Sequence, residues 1–80
     1  MTLKPGIYRH YSGKLYEFIA VAHHSETLEE LVVYRALYED KRFGKNAVWV
    51  RPKDLFTDTV VLDGKPMKRF TFVSEIKGAE

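Results

Sequence analysis

The chain contains no cysteine. A domain of 80 residues buries only about 60–65% of the surface its unfolded chain exposes, and small domains commonly add disulfides or thiolate-held metals in compensation. Neither is open to this sequence, so its stability has to come from packing. The aromatic residues, 14% of the chain, are the expected source, because each ring brings a large apolar area. A cysteine-free chain also suits a reducing compartment, and a cytoplasmic protein is the expectation. No apolar run is long enough to span a bilayer, and Met1 to Gly6 lacks the apolar segment of a secretory leader; no membrane partner is expected. Charge of a single sign is missing too. Thirteen Lys and Arg face eleven Asp and Glu, for a net charge of +2, which excludes a protein that grips duplex DNA chiefly through its phosphates. There is no internal repeat, low-complexity tract or linker, so one domain is expected over residues 5–73, with a frayed tail at 74–80.

What is present reads as strand. After the Pro5-Gly6 turn, Ile7 to Tyr11 alternates; Ser12-Gly13-Lys14 makes a turn, and Leu15 to His23 returns as the second arm of a hairpin. Both faces of that second run are apolar, which predicts a strand covered on both sides or one that bends strongly. Thr27-Leu28-Glu29-Glu30 fits a capping box at the start of one helical turn. Leu31 to Tyr38 is the most strand-like run, with Leu31, Val33, Arg35 and Leu37 on one face and Val32, Tyr34, Ala36 and Tyr38 on the other. Glu39 to Asn46 is a charged hairpin tip around Gly44, Ala47 to Arg51 the returning strand, and Pro52 to Phe56 a single 3₁₀ or α turn. Thr59 to Leu62, Asp63-Gly64 and Lys65 to Val73 form a last hairpin, since Asp-Gly favours a tight type I′ turn. The sum is an all-β domain of five or six short strands with one or two single-turn helices. An antiparallel chain of this length hides its edges by curling, and the order of elements predicts a small SH3-like barrel, with an OB-type barrel as the alternative.

Several constellations carry chemistry. His23 and His24 are neighbours on a strand and point to opposite faces, so they do not chelate one ion together, and no ligand-spacing motif is present; neither metal nor cofactor is expected. His24, Ser25 and Glu26 include the residue types of a hydrolytic triad, which supports a small hydrolase or metal-dependent enzyme as the competing reading. There is no nucleophile elbow, however, and a Ser or Thr before Glu-Glu ordinarily caps a turn. Arginines and aromatics form the more suggestive group: Arg9, Tyr11, Tyr34, Arg35, Tyr38, Trp49 and Arg51. Guanidinium groups beside rings can hold a planar anion or a base. Arg35 can instead pair with Glu17 on the neighbouring strand, and Trp49 can fill the core. Lys41, Arg42, Lys45, Lys53, Lys65, Lys68 and Arg69 fall near two loop tips and would make a modest positive patch if those tips adjoin.

Four spaced motifs carry a resemblance: Gly6 to Tyr11, His24 to Thr27, Leu31 to Tyr38, and Trp49-Val50-Arg51-Pro52. Together they resemble the small bacterial proteins called domain of unknown function 1653, over about Pro5 to Phe72. The segment Lys41 to Asn46 is longer than the turn usual in that family, an insertion at a hairpin tip that leaves the fold undisturbed. Some members look like appendages to larger enzymes, including Nudix-type hydrolases, and the resemblance therefore implies an accessory or binding role. The expectation is a non-enzymatic binding module whose surface is formed by His24, Ser25, Glu26, Thr27, Tyr34, Arg35, Trp49 and Arg51, taking a nucleic acid, a nucleotide or a protein segment.

Overall fold

The structure is a computed structural model that describes residues 3–75. It is all-β, with nine antiparallel strands and one 3₁₀ turn among the described residues. Strands β1 (Gly6–His10), β2 (Leu15–His23) and β3 (Glu30–Ala36) form a meander. A small hairpin, β4 (Glu39–Asp40) and β5 (Gly44–Lys45), leads to β6 (Val48–Pro52) and the 3₁₀ turn Lys53–Leu55. A second hairpin, β7 (Thr59–Leu62) and β8 (Lys65–Lys68), precedes β9 (Phe70–Ser74). The main sheet has the order β6-β3-β2-β1-β9, and the two hairpins stand as separate two-stranded ladders. Among the described residues no ladder joins β6 to β9, so the sheet is open and the expected closed barrel is not formed by hydrogen bonds.

The turns follow local chemistry. Asp63 and Gly64 both have positive φ, 51° and 76°, as a type I′ turn requires. Asp40 shapes the β4–β5 tip by accepting the N–H groups of Arg42 at 2.7 Å and Phe43 at 3.3 Å. Two expectations need correction. The Thr27 turn is not helical: Leu28 takes φ 64°, its N–H bonds the His24 carbonyl, and the Thr27 hydroxyl accepts from Glu29 N–H two residues on, so β3 starts at Glu30. The last run is not one strand either. It breaks at Arg69, so that β8 pairs with β7 while β9 pairs with β1. Of the expected tail 74–80, Ser74 ends β9 opposite Ile7, and residues 76–80 lie outside the described residues.

The two-faced apolarity of β2 has a physical cause. A bulge between Phe18 and Ala20 shifts the register on β3, so Phe18 opposes Tyr34 but Val21 opposes Val32. Before the bulge the even positions face the core; after it Val21, opposite the buried Val32, takes over that face while remaining exposed itself, and the strand bends there. The core on that face consists of Tyr8, Phe18, Val32, Tyr34, Ala36, Phe56 and Phe70. Five of these seven are aromatic. Phe56, delivered by the 3₁₀ turn, stacks on Phe70 with ring centroids 4.0 Å apart, and edge-to-face contacts tie in Tyr8 and Tyr34. Rings supply the burial that disulfides would otherwise supplement.

Candidate functional site

Strand parity decides which of the candidate residues meet. Tyr34 opposes Trp49, and Val32 opposes Arg51, so Tyr34, Trp49 and Arg51 share the core-side face of the sheet. Arg35 lies on the opposite face, where its guanidinium donates to Glu17 at 3.2 Å, the partner expected from the sequence. Both side chains are half-buried at the surface, and an ion pair still open to solvent contributes about 0–1 kcal/mol. His24, Ser25, Glu26 and Thr27 are exposed on the β2–β3 turn. There the His24 Nδ1 accepts the N–H groups of Glu26 at 3.1 Å and Thr27 at 3.3 Å, and the Ser25 hydroxyl donates to the Glu26 carboxylate at 3.1 Å. The imidazole ties down the turn backbone while the hydroxyl bonds its neighbour's carboxylate. That is not the base-to-nucleophile contact a hydrolytic mechanism needs. Among the described residues no three His, Asp or Glu side chains converge as a metal site would require.

The face carrying Tyr34 and Arg51 is richer than the sequence suggested. The Arg51 Nε donates to the Tyr34 hydroxyl at 3.3 Å, and its guanidinium lies 5.9 Å from the centre of the Phe70 ring. Phe70 in turn contacts His10 at 5.0 Å, Tyr16 at 5.6 Å and Tyr34 at 5.6 Å between centroids. Next to this group, the Tyr16 and Tyr38 hydroxyls share a hydrogen bond of 2.6 Å, and the Lys14 ammonium stands 4.3 Å over the Tyr38 ring. Burial, reinforced by the bond to Tyr38, pushes the Tyr16 phenol well above its usual range, so it stays protonated. The Trp49 ring is half-buried against the core, with Phe43 edge-on to it at 4.9 Å. Arg69 takes no part as a free cation, because it forms a fork with Asp58 at 2.7 and 3.0 Å that holds the Asp58 carboxyl below the usual range. Two of the other bases also have carboxylate neighbours, Arg42 lying 3.7 Å from Asp40 and Lys53 3.7 Å from Glu30.

His10 is the titratable member of the group. Its Nδ1 accepts the Ser12 N–H at 3.2 Å, which places the proton of the neutral ring on Nε2. Burial first, then the nearby Arg51 and Arg69 charges, lower its pKa below the ordinary value. The unfolded chain therefore takes up a proton near the ordinary histidine pKa, about 6.5, before the folded chain does. This contribution to stability is complete above that pH and declines as the pH falls below it. Between about pH 8 and about pH 5 the urea midpoint of the wild type is expected to drop further than that of His10→Gln. Parallel curves for the two proteins would contradict the assignment.

What remains free on this face is mostly hydrogen-bond donors. Among the described residues the two terminal NH₂ groups of Arg51 make no hydrogen bond, and no carboxylate pairs with Arg51. The Nε2–H of His10 and one hydroxyl hydrogen of the Tyr16–Tyr38 pair are similarly unengaged. Sequence reasoning identified Tyr34, Trp49 and Arg51 here but not His10, Tyr16 or Phe70. The missing signal was register: with Tyr8 opposite Tyr16, and His10 opposite Phe70, all three fall on the Arg51 face.

Comparison with known proteins gives a consistent result. Residues 6–72 match the family described as Protein of unknown function (DUF1653). The crystal structure of a protein belonging to DUF1653 from Bordetella bronchiseptica is similar to this chain, with 32% sequence identity and a TM-score of 0.81, covering 94% of this chain and 92% of that one. No curated protein matches.

Proposed function

Since the chain belongs to the DUF1653 family, whose description assigns no activity, we propose a function from its own side chains: it is a non-enzymatic binding module that holds the phosphate of a nucleotide or short single-stranded RNA at Arg51. The observation that carries this reading is the half-buried Arg51 guanidinium, fixed by the Tyr34 hydroxyl and Phe70 but left without a carboxylate among the described residues. A guanidinium so placed presents a fork to phosphate oxygens. His10 and the Tyr16–Tyr38 hydroxyls add donors beside it, and Trp49 offers a ring for a base, on the same face as Arg51. The strand order, with a 3₁₀ turn between β6 and the hairpin that precedes β9, supports an SH3-like arrangement of the module. Such a ligand fits a cytoplasmic protein, and among the described residues no helix is long and apolar enough to cross a membrane.

The reading is tested by the fluorescence anisotropy of a labelled short single-stranded RNA. Binding is expected to weaken steeply as salt rises. Arg51→Gln should reduce affinity about tenfold or more, the value of a charge-assisted hydrogen bond, while leaving the urea midpoint close to wild type. A bound phosphate should also raise the pKa of His10, by the same linkage that now lowers it. Binding that ignores both salt and Arg51→Gln would overturn the proposal, and binding of extended peptides alone would assign the face to a protein segment.

A further inference from the structure

A second site lies beside the Phe56–Phe70 stack. Leu3 and the rings of Tyr8, Phe56, Phe70 and Phe72 line a cavity of about 360 Å³, completed by Lys4, Thr57 and Lys68. Its size falls at the lower end of the range for small-molecule sites, about 300–1,000 Å³. The polar groups along the wall are of two kinds. The Tyr8 hydroxyl donates to the Lys4 carbonyl at 2.6 Å, and the Thr57 hydroxyl donates to the Lys53 carbonyl at 3.2 Å, so both are already engaged. The two ammonium groups are not: among the described residues neither Lys4 nor Lys68 is in an ion pair. The Lys4 ammonium stands 5.2 Å over the Phe72 ring at the cavity wall.

An interior of rings with two cations beside it is complementary to one kind of ligand. We infer that this cavity binds a small hydrophobic carboxylate, its apolar body against Tyr8, Phe56, Phe70 and Phe72 and its carboxylate between Lys4 and Lys68. The cavity opens on the same core-side face of the sheet as Arg51, but of the residues grouped around Arg51 only Phe70 lines it.

The test uses 3-phenylpropionate as probe, with 3-phenylpropanol as its neutral counterpart, in amide shift titrations of the full chain. The acid is expected to bind saturably, moving the amides of Leu3, Lys4, Tyr8, Phe56, Thr57 and Phe72. The alcohol should bind several-fold more weakly. Lys4→Gln combined with Lys68→Gln, both exposed positions, should remove that preference for the acid and leave the urea midpoint close to wild type. Absence of saturable shifts at these residues overturns the inference, as does equal binding of acid and alcohol by the wild type. Neither result bears on RNA binding at Arg51, which Arg51→Gln reports separately.

Discussion

Replacing Phe56 with alanine is expected to remove a large part of the domain's stability. Phe56 is 1% exposed and stacks on Phe70 at 4.0 Å, and its ring also meets Tyr8 and Tyr34 at 5.5 Å and Phe18 at 6.4 Å. Truncating a buried phenylalanine to alanine costs about 3–5 kcal/mol, because the transfer energy is lost and a cavity stays behind. Domains have about 0.05–0.15 kcal/mol of stability per residue, or about 4–12 kcal/mol for a chain of this length. With no disulfide to limit the unfolded state, the loss takes most of that margin at its lower end. Urea unfolding followed by circular dichroism checks it: the Phe56→Ala midpoint should fall far below that of the wild type. Leu28→Ala, at a side chain 70% exposed, should match the wild type. A midpoint for Phe56→Ala close to wild type would mean that the core is not organised around this ring.

Gly6→Ala should be the most disruptive single-methyl change in the main sheet. Gly6 opens β1 with φ +150°, and a Cβ there would lie 2.5 Å from the Ser74 carbonyl oxygen and 2.9 Å from the Phe72 ring. The nearer obstacle is backbone of the paired strand, which cannot turn aside as a side-chain tip could, so β9 has to move. Backbone strain alone costs about 1–3 kcal/mol, and the clash adds loss of the β1–β9 ladder, where Ile7 opposes Ser74 and Tyr8 opposes Phe72. Amide exchange in Phe70 to Ser74 is expected to accelerate well before the rest of the sheet. Gly64→Ala is the control: it also has positive φ, but nothing lies within 4 Å of the added methyl. Equal losses at the two positions would show that φ, and not the approach of β9, sets the requirement at Gly6.

These effects also show why parts of the molecule were readable in the sequence. Asp63-Gly64, the turn before Leu15 and the 3₁₀ turn after Pro52 each depend on a few adjacent residues, and each appears where local chemistry puts it. The Glu17–Arg35 pair was legible too, because a charged residue within an apolar strand face needs a partner one strand away. The bulge in β2 was not, since nothing local marks it; its effect, apolar residues on both parities, was visible without its cause. The break at Arg69 has no proline or glycine to signal it, and depends on β9 finding β1 across the chain. Phe56 follows an irregular segment with no periodicity to show which way it points. The candidate site was half legible for the same reason. Tyr34, Trp49 and Arg51 come from a hairpin whose pairing could be guessed, whereas His10, Tyr16 and Phe70 join them only through registers set at long range.

The central claim, that the Arg51 face binds phosphate beside an aromatic surface, is tested most directly by amide and side-chain shift mapping of the labelled chain against a nucleoside monophosphate and short single-stranded RNA. The account predicts saturable, salt-sensitive shifts centred on His10, Tyr16, Tyr34, Trp49, Arg51 and Phe70, including the Arg51 Nε–H, and their loss in Arg51→Gln. Shifts confined to the His24–Thr27 turn or to the Arg35 face, with the Arg51 Nε–H unmoved, would contradict it.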